Sequence, residues 1–199
     1  MQFVYSRLIL VLWLLWCVYW FAASVRSKPT VRQESFASAA LHRVPLLLAV
    51  ALFLVHRGRL GWLSTRFLPR NEALFWFWLG TVMVAAGLGW TVLARVYLGG
   101  NWSSGVTVKR DHELIRTGPY RWTRHPIYTG ILVAFAGSAI ALGEWRGLIA
   151  LALAVLAFLR KSAVEERFMM AQFPAAYPRY RAEVPALLPH PVRHRPGSA

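Results

Sequence analysis

The sequence is poor in acidic residues and in cysteine. Only 8 of its 199 residues are Asp or Glu, and charged residues of both signs make up 16% of the chain, against about 25% in a typical soluble domain. The single cysteine, Cys17, excludes a disulfide framework and a multi-cysteine zinc site, and we expect no metal centre. The glycine-rich G-x-G-x-x-G fingerprint is absent as well, which argues against a dinucleotide-binding Rossmann domain.

Apolar residues, in contrast, make up 57% of the chain, above the roughly 45–50% of soluble domains. Five apolar stretches contain no Asp, Glu, Lys or Arg: residues 8–25, 44–55, 73–94, 125–143 and 147–159. As helices, the second and fifth stretches are too short to cross the hydrocarbon core of a bilayer, which is about 30 Å thick. They reach that length if the second helix starts near Ala37 with Arg43 snorkelling, and if the fifth runs past Arg160 to Glu165. The predicted fold class is an all-α integral membrane protein with about five transmembrane helices.

The 23 basic residues are unevenly distributed between the two sides of these spans. Seventeen lie in the first loop, the third loop and the C-terminal region, and six lie on the other side. The positive-inside rule therefore predicts a multi-pass protein with its C-terminus in the cytoplasm and its N-terminus outside. This topology and anionic lipid headgroups account for the net charge of +15, so we expect no nucleic-acid partner. Ala22-Ala23-Ser24 resembles a signal-peptide cleavage site, but the tryptophans of the first stretch favour a retained span.

Polar residues on the predicted cytoplasmic side concentrate in residues 101–128 and 160–180, which flank the last two spans. A short connection makes these spans a helical hairpin, so the two segments meet. Pro126 is typical of a first helical position, and an extended His125 precedes it. The free N–H groups and the positive dipole at this helix N-terminus favour binding of a carboxylate or phosphate. Alternatively, His125 caps the helix and the nearby aromatic residues Tyr120, Trp122 and Tyr128 form an interfacial belt.

The second polar segment carries Lys161, Glu165 and Glu166 on the helix that continues from the fifth span. Paired carboxylates close to a bilayer are costly unless they have partners. Lys161 and Glu165 could form a surface pair at i, i+4 spacing. Alternatively, Glu165 faces the opened helix end and binds a cation such as an amino or sulfonium group. Three aromatic residues that follow could cover a pocket or lie at the interface: Phe173, Tyr177 and Tyr180.

The motifs of the second half follow one another in a fixed order: His112-Glu113-Leu114-Ile115, Gly118-Pro119-Tyr120, Arg124-His125-Pro126-Ile127-Tyr128-Thr129-Gly130, Glu165-Glu166, Phe173, Tyr177 and Tyr180. Together they resemble the isoprenylcysteine carboxyl methyltransferase family and its phospholipid methyltransferase relatives. The resemblance covers about residues 100–189. It divides the chain into a three-span N-terminal region (1–99), a methyltransferase core with a two-span hairpin (100–189) and a mobile basic tail (190–199).

The resemblance implies a methyltransferase that binds S-adenosylmethionine in a cytoplasm-facing pocket of the C-terminal half. The cofactor contacts that it implies are His112, Glu113, Leu114, Ile115, Tyr120, His125, Pro126, Ile127, Tyr128 and Glu165. For the acceptor we expect Glu166 together with Arg160 or Lys161. Lys161 stands where related enzymes carry an arginine that orients the substrate carboxylate, and lysine cannot form that bidentate fork.

The implied reaction is O-methylation of the carboxylate of a lipophilic, isoprenylcysteine-like acceptor that is a small molecule or a lipid-modified protein. Such a carboxylate needs positioning and desolvation more than acid–base catalysis. N-methylation of a phospholipid amine is the alternative, with Glu166 or a tyrosine as the base. Two further hypotheses are an NADPH-dependent sterol-type reductase, with a 2′-phosphate bound by Arg116, Arg121 and Arg124, and a non-catalytic membrane protein. The oligomeric state is left open.

Overall fold

The computed structural model describes residues 2–25, 30–55, 59–102, 107–109 and 113–188. Six α-helices lie in these ranges: α1 (Gln2–Ser24), α2 (Phe36–Leu54), α3 (Ala73–Leu98), α4 (Pro126–Leu142), α5 (Trp145–Gln172) and α6 (Ala176–Glu183). Short 3-10 helices cover Gly61–Ser64, Gly99–Asn101 and Gly118–Arg121. Two strands, β1 (Thr30–Gln33) and β2 (Thr107–Lys109), pair antiparallel. The predicted all-α membrane fold is confirmed, with this small strand pair as an addition.

Four helices, α1, α2, α3 and α5, are long and apolar enough to cross a membrane, whereas α4 is apolar but has only 17 residues. The two predicted helix extensions are confirmed. Helix α2 begins at Phe36 and includes Arg43, and α5 continues without a break past Arg160 and Glu165 to Gln172. At about 1.5 Å per residue, the 28 residues of α5 exceed the hydrocarbon thickness. Its last turns therefore extend out of the bilayer core and carry polar side chains there.

Helices α3 and α4 run antiparallel in direct backbone contact, and glycines make this contact possible. A Cβ atom on Gly80 would lie 2.3 Å from the Gly137 carbonyl oxygen, and one on Gly87 would lie 2.5 Å from that of Gly130. The glycines are seven residues apart on each helix, so they face the same neighbour. Close packing of small residues is a main source of helix association in lipid, where burial of apolar surface contributes little.

Helices α2 and α5 are also antiparallel, and polar contacts join them at both ends. The Arg146 Nη1 atom donates to the Leu52 carbonyl oxygen at 3.2 Å, while Arg160 Nη2 donates to Ser38 Oγ at 3.1 Å. Arg146 is further held by a buried ion pair, with its Nε 2.7 Å from Glu144 Oε2. These contacts fix how far α2 can slide along α5.

Helix α1 packs against α3 and α4 through tryptophans that donate hydrogen bonds. Trp13 Nε1 donates to Ser138 Oγ at 3.1 Å, and Trp16 Nε1 donates to Thr91 Oγ1 at 2.6 Å. Within a membrane such bonds satisfy polar groups that lipid cannot solvate. The C-terminal ends of α1, α3 and α5 thus lie at the same end of the bundle as the N-terminal ends of α2 and α4.

Candidate functional site

His125 stands at this end of the bundle, directly before α4. Pro126 occupies the first helical position, as predicted. His125 is the N-cap residue of α4 by position, but its side chain makes no capping hydrogen bond in the described part of the chain, so the alternative is wrong as far as a side-chain cap is concerned. The ring instead bridges two carboxylates of α5: Nδ1 lies 3.4 Å from Glu165 Oε2, and Nε2 lies 3.3 Å from Glu166 Oε1.

The protonation of His125 is governed by two opposing effects. Burial of the ring lowers its pKa, but hydrogen bonds with Glu165 and Glu166 and the charges of these two carboxylates raise it, and the net shift is upward. A positively charged imidazolium between two carboxylates is the state that this environment favours. The pair of acids, which would repel each other if left alone, is thereby held in place.

Glu165 is positioned by aromatic neighbours. Its Oε1 atom accepts a hydrogen bond from the Tyr128 hydroxyl. The Tyr128 ring stacks on the His125 ring, at 5.4 Å between ring centroids, and on the Phe158 ring, at 4.8 Å. Lys161 Nζ lies 5.1 Å from the centroid of the same ring. Glu165 is therefore fixed at a defined place, although 23% of its side chain remains exposed.

Glu166 points to different partners, because adjacent residues of a helix are rotated by about 100°. Its Oε1 atom accepts from Arg124 Nε at 2.9 Å and from Arg124 Nη2 at 2.6 Å. Its Oε2 atom lies 3.3 Å from Arg181 Nε. The carboxylate is buried and holds two arginines of different segments together.

The chain segment after α6 completes the framework around His125. The backbone N–H groups of Arg124 and His125 donate to the carbonyl oxygens of Pro185 and Ala186 at 2.9 and 3.0 Å. The hydroxyl of Thr129 donates to the Leu187 carbonyl oxygen at 2.6 Å. The residues before α4 are thus bound to the last residues that the structure describes.

Helix α6 lies against the same region through two tyrosines. The Tyr180 hydroxyl donates to the Tyr120 carbonyl oxygen at 2.6 Å. Burial raises the pKa of both phenols, so both stay protonated near neutral pH. The interaction fixes the 3-10 helix Gly118–Arg121 beneath α6.

These elements enclose a cavity of about 310 Å³. Nine of the ten predicted cofactor residues line it, together with Lys161: Glu113, Leu114, Ile115, Tyr120, His125, Pro126, Ile127, Tyr128 and Glu165. The tenth, His112, lies outside the described residues. Glu166 and Arg160, which we expected at the acceptor, do not line the cavity. Arg160 is bonded to Ser38 of α2 instead.

The N-terminal helices supply a wall of the cavity that sequence reasoning missed. Trp16 and Trp20 of α1, Leu46 of α2 and Trp102 after α3 all line it. Arg95 lies over the Trp102 ring at 4.7 Å and donates to the Ala23 carbonyl oxygen at 2.7 Å. The high tryptophan content of the first span was the available signal, and it did not indicate which side chains face inward.

The arginines considered for a 2′-phosphate each have a different partner. Arg116 pairs with Glu183 at 2.6 Å, Arg121 lies over the ring of Trp122 at 5.8 Å, and Arg124 holds Glu166. Of the three, Arg124 alone lines the cavity. The structure therefore gives no support to a shared phosphate site.

Comparison with known proteins matches residues 75–176 to a family model described as phospholipid methyltransferase. Protein-S-isoprenylcysteine O-methyltransferase of Schizosaccharomyces pombe is 31% identical over 99 residues, covering 48% of this chain and 42% of that protein. The Saccharomyces cerevisiae enzyme of the same name is 30% identical, covering 56% and 48%.

A relative with a different name, methanethiol S-methyltransferase of Mycobacterium tuberculosis, is 33% identical, covering 61% of this chain and 49% of that protein. The chain spans about half the length of these curated relatives. A solved structure of a eukaryotic intramembrane Ras methyltransferase, isoprenylcysteine carboxyl methyltransferase, matches 74% of this chain and 52% of that chain, with a TM-score of 0.49 and 21% identity.

Proposed function

Because the chain belongs to the phospholipid methyltransferase family, whose model matches just over half of it, we propose that it is an integral membrane methyltransferase. It uses S-adenosylmethionine to methylate the carboxylate of a lipophilic, isoprenylcysteine-like acceptor. The observation that carries this proposal is Glu165, fixed by His125 and Tyr128 in the wall of a cavity that has both a polar and an apolar side.

The residues of the cavity fit the proposed methyl donor. Glu165 keeps part of its carboxylate exposed and can accept hydrogen bonds from an amino group. Such hydrogen bonds are charge-assisted and stronger than those between neutral groups. Tyr120, Tyr177 and Ile115 offer flat and apolar surfaces for a purine. When bound, S-adenosylmethionine supplies a methyl group on a positively charged sulfur, which a nucleophile displaces in line.

The protein positions the reactants and excludes water, which is the main help that a carboxylate nucleophile needs. Lys161 lines the cavity and attracts the acceptor carboxylate as a point charge. Glu166, first expected at the acceptor, instead holds Arg124 and His125 in place. We assign it a positioning role on this basis.

A lipophilic acceptor is supported by the apolar wall of the cavity. Trp16, Trp20, Leu46 and Phe158 lie on helices that cross the bilayer. A lipid tail can therefore reach the cavity without leaving an apolar environment, and its transfer into water is avoided. The distribution of basic residues supports an orientation with this end of the bundle in the cytoplasm.

N-methylation of a phospholipid amine is a second candidate, and the description of the matching family favours it. An ammonium group must lose a proton before it can attack a methyl group. Glu113 lines the cavity and offers a carboxylate for that step. The two candidates differ in the bond formed, an ester in one case and a carbon–nitrogen bond in the other.

Calorimetric binding to detergent-purified protein tests the donor site. We expect wild type to bind S-adenosylmethionine and S-adenosylhomocysteine, and Glu165→Gln to bind the donor about 10–100-fold more weakly, as loss of a charge-assisted hydrogen bond predicts. Glu72→Gln is the matched control, because Glu72 is exposed just before α3 and accepts from Trp76 at 3.1 Å. Folded protein that binds neither compound would refute the proposal, and NADPH binding alone would favour a reductase.

Transfer of a tritiated methyl group then identifies the acceptor. The proposed reaction labels N-acetyl-S-farnesylcysteine, and alkaline hydrolysis releases the label as methanol, because methyl esters are base-labile. Label from a phosphatidylethanolamine acceptor that is not released as methanol, and stays on the amine of the headgroup after hydrolysis, would favour N-methylation.

A further inference from the structure

A buried polar stripe on the α2 side faces α5 next to the cavity. It consists of Glu34, Ser38 and His42, which are spaced four residues apart. The Ser38 hydroxyl donates to Glu34 Oε1 and accepts from Arg160 Nη2 at 3.1 Å. The side chains of Glu34 and His42 are only 4% and 5% exposed. Ionisable side chains buried along a membrane helix are costly, and they commonly have a function.

The hydrogen bonding of this stripe is incomplete. Glu34 Oε2 and His42 Nδ1 have no hydrogen-bond partner within the residues that the structure describes. Glu34 Oε2 and His42 Nε2 are 3.9 Å apart, which is too long for a hydrogen bond. Buried polar atoms are almost always paired in folded proteins, so an unpaired atom on each of these two neighbouring side chains indicates a place for a polar ligand group.

The stripe lies next to the cavity, between α2 and α5, which both contribute residues to the cavity wall. His42 lies one helical turn before Leu46, and Arg160 is adjacent to Lys161; both Leu46 and Lys161 line the cavity. The charges that act on the His42 ring come from Glu34, Arg43, Lys161 and Glu165. A ligand whose reacting group lies beside Glu165 can therefore extend toward the stripe.

We propose that Glu34 and His42 bind the headgroup of the methyl acceptor and select acceptors that carry an N–H group next to an anionic group. A carboxylate accepts hydrogen bonds and donates none at neutral pH, so the group facing Glu34 must be a donor. The positive charges of Arg160 and Lys161 suit an adjacent anion. Acylated prenylcysteines and amino phospholipids share this chemistry. The inference rests on the proposed function, since it names the acceptor class of the same site.

Two acceptors with the same carboxylate and tail test the inference: N-acetyl-S-farnesylcysteine, which has the N–H group, and farnesylthiopropionate, which lacks it. We expect wild type to prefer the first by about ten-fold in kcat/KM, the effect of one hydrogen bond to a charged group. Glu34→Gln and His42→Gln should reduce this preference through KM while leaving the affinity for S-adenosylhomocysteine unchanged. Arg43→Gln, which changes the exposed neighbour of His42, should keep it.

Direct binding of the same two compounds, followed by tryptophan fluorescence, makes the result independent of turnover. Trp16 and Trp20 line the cavity and report on its occupancy. A preference that is absent in wild type, or that survives in both Glu34→Gln and His42→Gln, overturns the inference. A preference in binding without methyl transfer overturns the proposed function and leaves the acceptor subsite standing. If phosphatidylethanolamine is the acceptor that is methylated, a higher KM for it in Glu34→Gln supports the subsite and an unchanged KM overturns it.

Discussion

Replacing Gly87 by alanine tests whether direct backbone contact between α3 and α4 sets the position of the site. A Cβ atom at this position would lie 2.5 Å from the Gly130 carbonyl oxygen and 2.8 Å from the Ala134 nitrogen. Both are backbone atoms that cannot rotate away, so the helices must separate by about 1 Å to reach ordinary contact distance. Gly89, two residues further along α3, has no atom within 4 Å of the same added carbon.

The two glycines form a matched pair, because the gain in helix propensity is the same for both. Each Gly→Ala change gains about 0.8–1.0 kcal/mol in helix propensity, whereas overpacking at Gly87 costs about 1–3 kcal/mol. The propensity gain cancels in the comparison, so Gly87→Ala should be less stable than Gly89→Ala by about 2 kcal/mol. For a chain of this size, that difference lowers the melting temperature by about 4–8 °C.

Thermal denaturation of both variants in the same detergent, followed by tryptophan fluorescence, measures this difference. Tyr128 lies less than one turn from Gly130 in α4 and lines the cavity. Gly87→Ala should therefore also weaken binding of S-adenosylhomocysteine, and Gly89→Ala should leave it unchanged. Equal melting temperatures for the two variants would refute the close contact as a determinant of stability.

Three further changes test the network around the site and at the opposite end of the bundle. The raised pKa of His125 means that its protonation stabilises the fold below about pH 6.5 and that this contribution is lost as pH rises through the folded-state value. The melting temperature of wild type should fall as the pH rises from about 6.5 through the folded-state pKa of His125. The melting temperature of His125→Gln should change less. Tyr180→Phe removes the bond to Tyr120 and should cost about 0.5–1.5 kcal/mol in thermal unfolding, with weaker ligand binding. Glu144→Gln removes the negative charge that pairs with the buried Arg146 and should cost about 3–5 kcal/mol; an unchanged melting temperature would contradict this.

The helices and the residues before α4 were predictable because their signals are local. Apolar length predicted the extension of α2 and α5 past Arg43 and Arg160, and Pro126 predicted where α4 begins. Residues close to that proline in sequence are carried with it to the cavity wall. Helical geometry also turns the adjacent residues Glu165 and Glu166 toward different partners. Both had nevertheless been expected to contact ligands.

Contacts between distant segments were not predictable in the same way. The stripe of Glu34 and His42 depends on how α2 lies on α5, and the inward-facing Trp16 depends on the rotation of α1 against α3. An apolar membrane helix has no strong polar face from which its orientation could be derived. The pairing of Arg116 with Glu183 likewise joins segments whose approach follows from the assembled bundle.

The hydrogen bonds from Arg124 and His125 to the carbonyl oxygens of residues 185 and 186 have a consequence for biosynthesis. Every helix that bears a cavity residue is synthesised before these carbonyl groups leave the ribosome. The bundle can therefore insert and pack while the turn before α4 still lacks its backbone partners. Protein shortened to residue 183 should be retained in the membrane yet bind the methyl donor poorly. Ligand binding in this architecture thus depends on a backbone contact that forms only after the helices of the cavity have been synthesised.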